Sequence, residues 1–376
     1  MIDVSFFYSE LKKNNVDFFC GVPDSLLKSF CAFITDNCGD KKHIVAVNEG
    51  AAIGLAAGYY LALGKIPLIY MQNSGIGNAI NPLLSLADFD VYQIPMILLI
   101  GWRGEPGIKD EPQHVKQGKV TCDILKTLGI PYSIVENNED DVKKQMAQCF
   151  DYFSKNSAPY AFVVRKDIFK PYVLQNKGYD NKAQMSREEA IEDIVNLSNE
   201  NEAFISTTGM ISRELYEIRD KYKMNHSHDF LTVGSMGHAS HIALGAALEK
   251  PEIRFTCLDG DGAVLMHLGS LCAIGTKKPF NLRHIVLNNG AHDSVGGQPT
   301  IAPFIDICQI ARAAGYEKVY SVSNKDEMKK VLAQTRENCG LIFIEIIVRK
   351  GARKDLGRPK MSPVENKEAF MQFLKK

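Results

Sequence analysis

The sequence lacks both an excess of charge and a long apolar run, and each absence narrows the class of protein. Its 376 residues carry 44 basic and 44 acidic side chains, so the formal net charge is zero. A neutral chain has no overall field that attracts nucleic acid or an anionic membrane. No stretch approaches the length of about eighteen apolar residues that spans a bilayer, and the N-terminal residues do not resemble a secretion signal. We therefore expect a soluble, cytoplasmic protein that binds neither nucleic acid nor membrane.

The cysteines also lack a pairing pattern. There are nine of them, an odd number, and none forms a C-x-x-C pair. This distribution favours reduced thiols over a disulfide framework or a zinc ribbon. His238 and His241 lie three residues apart, but no further ligand follows at a metal-binding spacing, so we interpret them as solvated or core histidines. No G-x-G-x-x-G follows the first predicted strand, which disfavours a nicotinamide-dependent Rossmann oxidoreductase.

Short β-rich runs alternate with segments of helical periodicity along the whole chain, as in parallel sheets with crossover helices. The chain is long enough for two such domains. A polar segment without either period ends at Ser186, where the sequence "SREE" predicts a capping box. We therefore predict an α/β protein with two doubly wound parallel-sheet domains, 1–175 and 186–376, and a linker at 176–185. The predicted strands are 43–47, 67–71, 95–101, 160–165, 203–207, 229–233, 253–260, 282–289 and 341–348.

The stretch "LDGDGAV" (258–264) places Asp261 between two glycines at the end of a predicted strand. Glycines allow a ligand to approach the backbone, N–H groups at a helix start suit a phosphate, and a carboxylate binds divalent cations. Alone, the motif is equally compatible with a plain turn. The next predicted strand, however, ends in Asn288 and Asn289, with 25 residues between Gly262 and Asn288. That interval fits a crossover helix and a neighbouring strand, so we expect both strand ends to reach one ion.

This spaced signature, GDG followed after about 25 residues by NN, resembles that of the thiamine diphosphate-dependent 2-oxoacid decarboxylase family. The resemblance implies that Asp261, the Asn289 side chain and the Ala291 carbonyl hold Mg²⁺, or another divalent cation such as Ca²⁺ or Mn²⁺, against the cofactor diphosphate. Asn288 is then structural.

The same resemblance implies contacts with thiamine diphosphate on both sides of the GDG motif. In the upstream stretch "TVGSMGHAS" (232–240), the Gly234 carbonyl would accept from the cofactor's amino group and Met236 would support the bend between its rings. The alternative is that Gly234 is a turn residue and Met236 a core residue. The implied cofactor-binding residues are Gly234, Ser235, Met236, Gly260, Asp261, Gly262, Ala263 and Asn289.

Glu49 stands between a predicted strand and an unusually apolar helical segment, in the stretch 43–65. A carboxylate there is costly unless it is paired or lies at a helix N-terminus, and a helix-capping role is the alternative reading. The resemblance implies that Glu49 stabilises the protonated pyrimidine, which allows the cofactor to form its ylid.

The resemblance covers nearly the whole chain, with a pyrimidine-binding domain first and a diphosphate-binding domain second. Between these two domains the chain lacks the middle domain that acetolactate synthases and pyruvate decarboxylases carry. This difference disfavours carboligation. Family sites form between subunits, so the resemblance implies at least a homodimer.

Within the family, a two-domain chain in this order resembles the phosphonopyruvate decarboxylases, with the sulfopyruvate decarboxylases second. The implied reaction is decarboxylation of 3-phosphonopyruvate to phosphonoacetaldehyde and CO₂ through the thiamine diphosphate ylid. A sulfopyruvate substrate and a catalytically silent thiamine diphosphate-binding protein are the alternatives. The stretches that carry this resemblance are 18–27, 101–118, 288–300 and 352–359.

An anionic 2-oxoacid needs basic partners, and two segments offer them. The loop after 95–101 contains Arg103, Lys109, His114 and Lys116; we expect His114 to shuttle a proton and Lys109 to bind an anion. The alternative is a solvated loop.

The segment 348–360 carries six basic residues and one acid, and we predict that Arg353 or Arg358 meets the phosphonate, unless this is a solvated tail. Asp24 and Ser25 match a turn that approaches substrate in the family, although Asp24 is equally suited to cap a helix.

Overall fold

Two six-stranded parallel sheets form the framework of the chain. The computed structural model describes residues 1–176, 178–179, 181–336 and 339–375. It divides into two units, Met1–Gly178 and Tyr179–Lys376, each with one sheet. The prediction of two doubly wound α/β domains is confirmed. The finer division at 176–185 stays a prediction, and Lys177, Asp180, Glu337, Asn338 and Lys376 lie outside the described residues.

In the first unit the sheet has the order β2-β1-β3-β4-β6-β5, with every paired strand parallel. Its strands are β1 (Phe19–Gly21), β2 (His43–Val45), β3 (Leu68–Gln72), β4 (Ile97–Gly101), β5 (Tyr132–Ile134) and β6 (Tyr160–Val164). Its helices are α1 (Val4–Lys13), α2 (Lys28–Asn37), α3 (Glu49–Leu63), α4 (Ile76–Pro82), α5 (Pro112–Thr127) and α6 (Glu139–Lys155).

Both faces of this sheet are covered, which explains why its central strands are continuous apolar runs. Side chains of α1, α2 and α6, including Phe7 and Phe30, pack on one face with Phe162 of β6. Side chains of α3, α4 and α5, including Ile53, pack on the other face with Leu98 of β4. The turns after the strands are therefore left at one edge of the sheet.

The second unit repeats this plan with the strand order β11-β12-β10-β9-β7-β8. Its strands are β7 (Ala203–Ser206), β8 (Asp229–Leu231), β9 (Phe255–Gly260), β10 (Leu282–Asn288), β11 (Lys318–Val322) and β12 (Ile342–Ile347). Its helices are α7 (Arg187–Asn196), α8 (Met210–Lys221), α9 (Ala239–Glu249), α10 (Asp261–Met266), α11 (Ser270–Lys277), α12 (Ile307–Ala314), α13 (Lys325–Arg336) and α14 (Pro363–Phe373).

The predicted capping box at the start of this unit is confirmed. The Ser186 side chain accepts from the Glu189 N–H, and the Glu189 carboxylate accepts from the Ser186 N–H. Helices α7, α8 and α13 pack on one face of the sheet, and α9, α11, α12 and α14 on the other. Within the part of the chain that the structure describes, no helix combines the length and apolar character needed to cross a bilayer.

Candidate active site

Asp261 lies where β9 passes directly into α10, at the edge of the second sheet. Strand register pairs Gly260 of β9 with Leu287 of β10, so Asp261 is level with the end of β10, where Asn288 and Asn289 follow. The Asp261 side chain is buried and accepts a hydrogen bond from the Thr300 hydroxyl. The two strand ends predicted to converge are therefore adjacent in the structure.

A buried carboxylate at this position carries an electrostatic cost. Burial raises the pKa of Asp261 to about 6, whereas the Thr300 hydroxyl and the N–H groups of Asn289 and Gly262 act in the opposite direction. A cation would offset this cost, because an adjacent positive charge favours the ionised carboxylate.

The two asparagines at the end of β10 have different partners. The Asn288 amide donates to Glu345 of β12 at 2.8 Å, and its oxygen accepts from the Gly290 N–H. The Asn289 oxygen accepts from the Ala291 N–H at 3.0 Å, and its amide donates to Asp293 at 2.7 Å. Asn288 therefore links two strands, while the Asn289 side chain lies within the turn after β10, and the Asn289 N–H is directed to Asp261.

This turn fits the predicted divalent cation. Its donors are a carboxylate at Asp261, an amide oxygen at Asn289 and a carbonyl at Ala291, all hard oxygens of the kind that Mg²⁺ and Ca²⁺ bind. The segment then folds back through a bridge between Ala291 and Pro299, which brings Thr300 to Asp261. Gln298 on this segment is fully buried, and neither of its amide atoms has a hydrogen-bond partner among the described residues.

The second residue of α10 has little room for a side chain. A Cβ placed on Gly262 would lie 3.0 Å from the His292 ring and 3.3 Å from the Met236 methyl group. Met236 stands in a tight turn between Ser235, with a φ of 51°, and Gly237, with a φ of 85°. The turn at 235–237 and the glycine of the GDG motif, predicted from two separate stretches, therefore lie together.

Glu49 is the first residue of α3, and its side chain is buried. The preceding Asn48 caps the helix by accepting from the Ala51 N–H at 2.8 Å, so Glu49 is not itself the cap. One carboxylate oxygen accepts from the Asn78 amide at 2.8 Å. The other lies where a Cβ on Gly75 would come within 2.4 Å, so this space requires glycine. The structure thus holds a buried carboxylate at the edge of the first sheet.

Asp24 follows β1 at the same edge and is fully buried. One of its oxygens accepts from the Leu26 N–H and the Ser25 hydroxyl, while the other has no partner among the described residues. Gly101 at the end of β4 leaves room for this second oxygen, since a Cβ there would lie 2.1 Å from it. Burial raises the pKa of Asp24 to about 6, although the Leu26 N–H and the charge of Arg103 oppose the increase. Asp24 therefore offers an unpaired oxygen rather than a helix cap.

Ser25, Arg103 and His114 are connected through Asp110, which sequence analysis did not select. Arg103 donates from one guanidinium nitrogen to Ser25 Oγ at 2.7 Å and from Nε to Asp110 at 2.8 Å. The buried His114 places Nδ1 2.9 Å from the Asp110 carboxylate. Four residues, from the loops after β1 and β4 and from the first turn of α5, therefore form one hydrogen-bonded chain, which we call the Asp110 network (Ser25, Arg103, Asp110 and His114).

Asp110 and His114 differ in their protonation. Burial acts to raise the pKa of Asp110, but hydrogen bonds from Arg103, His114 and the Gly104 N–H outweigh it and hold the pKa well below its usual range. Burial lowers the pKa of His114, and the charge of Arg103 acts in the same direction against the hydrogen bond to Asp110. The network therefore contains an ionised aspartate and a neutral histidine at pH 7.

The remaining predicted substrate residues are more exposed. Lys109 lies on the surface of the loop before α5. Arg353 forms ion pairs with Glu188, Glu217 and Asp355 within the second unit. Arg358 is also exposed, in the same irregular segment.

One further group of metal-ligand side chains lies in the core of the second unit. Ligand atoms of Cys257, Asp259 and His284 lie within 4.8 Å of one another. The two ring nitrogens of His284 are near Tyr316 Oη, at 3.1 Å, and Asp259, at 3.4 Å. His284 is thus held by Asp259 and Tyr316, all three residues of the group are buried, and we assign them to the core.

Comparison with known proteins identifies the class to which this fold and site belong. Residues 4–126 match "Thiamine pyrophosphate enzyme, N-terminal TPP binding domain", and residues 207–346 match "Thiamine pyrophosphate enzyme, C-terminal TPP binding domain". The chain belongs to the thiamine pyrophosphate enzyme family, as its sequence predicted. The matches place Glu49 in the N-terminal and Asp261 and Asn289 in the C-terminal cofactor-binding domain.

Similar curated proteins align with almost the entire chain. The phosphonopyruvate decarboxylase of Streptomyces viridochromogenes is 33% identical, covering 94% of this chain and 90% of the relative. That of Streptomyces hygroscopicus is also 33% identical, over 99% of this chain and 94% of the relative. The sulfopyruvate decarboxylase of Methanosarcina acetivorans is 30% identical, over 97% and 95%.

Proposed function

We propose that this protein decarboxylates 3-phosphonopyruvate to phosphonoacetaldehyde and CO₂ with the help of thiamine diphosphate. The observation that carries the proposal is the alignment with phosphonopyruvate decarboxylases at 33% identity over nearly the full length of both chains. The burial of Glu49 and Asp261 supports a catalytic rather than a silent protein, because buried carboxylates are costly and a silent protein need not retain them.

Each half of the chain contributes to cofactor binding in this proposal. Bound thiamine diphosphate supplies a nucleophilic carbon and an acceptor for the electrons that CO₂ leaves behind. Asp261, Asn289 and the Ala291 carbonyl hold the divalent cation, and the N–H groups of Gly262 and Ala263 meet the diphosphate. The other proposed contacts, at the remaining predicted positions, are Gly234, Ser235, Met236 and Gly260.

Glu49 accepts a hydrogen bond from the pyrimidine ring in this mechanism. Its burial strengthens that bond, since few waters compete for the carboxylate. At the substrate, His114 moves a proton, and Asp24 supplies the unpaired buried oxygen described above. Lys109 and either Arg353 or Arg358 bind the anionic groups; Arg353 must release its pairs with Glu188 and Glu217 to do so.

Sulfopyruvate is the second candidate substrate, favoured by the 30% identity to a sulfopyruvate decarboxylase over 97% of the chain. Both substrates carry a tetrahedral oxyanion, and the phosphonate carries more negative charge near neutral pH. We expect kcat/KM to be at least about tenfold higher for phosphonopyruvate, the effect of about 1.4 kcal/mol in transition-state binding. A steady-state assay of both substrates with the same enzyme preparation decides between them. A ratio in favour of sulfopyruvate would reverse the assignment.

We also propose a cytoplasmic homodimer as the smallest functional unit, with cofactor sites shared between subunits. Two helices support an interface, because each presents small or apolar side chains to solvent. In α3 the exposed positions include Gly54, Gly58 and Leu61, and in α9 they include Ile242 and Leu248. All nine cysteines are free thiols, which is consistent with a reducing compartment.

Gly58→Glu tests the proposed interface. A Cβ on Gly58 meets nothing within 4 Å, and glutamate is a better helix former than glycine, so the subunit itself should fold normally. A charge buried in an interface is costly, so we expect the dimer dissociation constant to rise by about 100-fold or more. Analytical ultracentrifugation measures it. Gly39→Glu is the control, since Gly39 is equally open and lies outside α3. A wild-type monomer, or a variant as dimeric as wild type, would contradict the proposal.

A further inference from the structure

Asp110 collects more hydrogen bonds than its position in a surface loop would require. One oxygen accepts from Arg103 Nε and the Gly104 N–H, both at 2.8 Å. The other accepts from His114 Nδ1 at 2.9 Å, from the Glu111 N–H at 2.8 Å and from a second Arg103 nitrogen. The two backbone N–H groups and the two Arg103 nitrogens can only donate, so the site favours an ionised carboxylate, independently of the role of His114.

The carboxylate decides which nitrogen of His114 carries the proton. An ionised carboxylate only accepts, so Nδ1 must be the protonated nitrogen in the neutral ring. Nε2 then carries the lone pair, and no described residue hydrogen-bonds to it. Arg103 is fixed by the same carboxylate, in the orientation in which it donates to Ser25.

We propose that Asp110 is a positioning residue for the decarboxylation: it fixes His114 in the tautomer that leaves Nε2 for proton transfer and holds Arg103 against Ser25. This inference rests on the proposed function, in which His114 moves a proton at the substrate. Asp110 itself touches neither substrate nor cofactor in this account. The alternative is that Asp110 only fastens the loop before α5, with no influence on the histidine tautomer.

Asp110→Asn separates these roles, because it keeps the size of the side chain and removes its charge. The amide NH₂ group must replace one of the two oxygens. At one position it faces His114 Nδ1, the Glu111 N–H and one Arg103 nitrogen, and at the other it faces Arg103 Nε and the Gly104 N–H. Both orientations conflict with one backbone and one guanidinium donor, but only at the first position can a partner adapt, because His114 can move its proton to Nε2 and accept from the amide at Nδ1. We therefore expect the variant to contain the opposite tautomer.

Nuclear magnetic resonance of ¹⁵N-histidine-labelled protein measures the tautomer without substrate or turnover. The wild type should show His114 protonated at Nδ1, and Asp110→Asn should show it protonated at Nε2; His114→Gln identifies the signals. Asp123→Asn is the control: Asp123 is an exposed aspartate of α5, the helix that contains His114, and its substitution should leave the His114 tautomer unchanged. A wild-type His114 protonated at Nε2, or an unchanged tautomer in folded Asp110→Asn, would overturn the proposal.

The pH at which His114 ionises gives a second reading. The charged groups around the ring are Asp110 before α5, Arg103 after β4 and, through Arg103, Asp24 after β1. Asp110 raises the pKa of His114, so its neutralisation should move the titration of the His114 ring protons to lower pH. If the midpoint of this titration stays the same or moves to higher pH, the proposed contact is contradicted.

Kinetics then connect the tautomer to the reaction. For Asp110→Asn we expect kcat to fall by about 10²- to 10⁴-fold, with KM changed less than about threefold. Asp110→Glu, which keeps the charge, should restore part of the lost kcat and should show the wild-type tautomer of His114. An Asp110→Asn enzyme with altered tautomer and normal kcat would refute the positioning role, whereas an inactive wild type would refute the proposed function instead.

Discussion

Replacing Glu49 with glutamine is expected to lower kcat by about 10³-fold while Mg²⁺-dependent binding of thiamine diphosphate persists. Glutamine cannot carry the negative charge that stabilises a protonated pyrimidine, and acid–base groups of this kind contribute about 10²- to 10⁴-fold to rate. The metal and diphosphate contacts proposed above belong to the Asp261 turn, so we expect the substitution to leave them unaffected. Steady-state turnover and calorimetric titration of the cofactor measure the two effects separately.

The substitution should leave the fold intact. Glutamine has the shape of glutamate, the Asn48 cap remains, and Asn78 can still donate to the side-chain oxygen. Glu139→Gln is a matched control, because Glu139 begins α6 after an asparagine cap, as Glu49 begins α3, but is exposed. Glu139→Gln should have normal turnover. Normal turnover in Glu49→Gln would remove Glu49 from the mechanism.

Asp261→Asn should strongly weaken metal-dependent cofactor binding. The change removes the one charged donor from the proposed cation site, and we expect the dissociation constant for thiamine diphosphate with Mg²⁺ to rise by at least about 100-fold, since even the loss of an indirect contact costs about 10- to 100-fold. Calorimetric titration measures it. Asp326→Asn, at an exposed position in the first turn of α13, should bind normally. Unchanged affinity in Asp261→Asn would exclude the cation site.

In the cofactor-free protein, by contrast, Asp261→Asn should leave the thermal stability of the fold unchanged or increase it. Burial raises the pKa of Asp261 from 3.8 to about 6, so the folded state binds this proton more tightly than the unfolded chain. The ionised carboxylate therefore destabilises the fold above about pH 6, and this cost disappears as the pH falls toward 4. Asp261→Asn should unfold at the same or higher temperature than the wild type at pH 7.5, as measured by thermal melting without metal.

The sequence predicts strands best where both faces of a strand are covered. Every residue of β10 (Leu282–Asn288) is buried, and its apolar run was recognised. Strands β5 and β11 were missed because they lie at sheet edges, are mostly half-exposed and mix polar with apolar residues. Strand β1, a buried strand of three residues, was not predicted either.

In the candidate site, too, some residues could be identified from the sequence and others could not. The motif at Asp261 and Asn289 has a fixed spacing, which follows from one crossover between neighbouring strands, so the sequence could identify it. Asp110 has no such spacing: its importance depends on Arg103 meeting Ser25, 78 positions away in the chain. Thr300 was missed for the same reason, since its contact with Asp261 depends on the fold of the segment after β10. Residues whose roles depend on contacts between distant loops can be recognised only in the folded structure.

The most direct test of the account is CO₂ release from 3-phosphonopyruvate by the purified wild-type protein, with and without thiamine diphosphate and Mg²⁺. Phosphorus magnetic resonance follows the organic product in the same sample. We predict one CO₂ and one phosphonoacetaldehyde for each substrate consumed, and only when both cofactors are present. Release of no CO₂ under those conditions, or of CO₂ together with a carbon–carbon ligation product instead of the aldehyde, would contradict it.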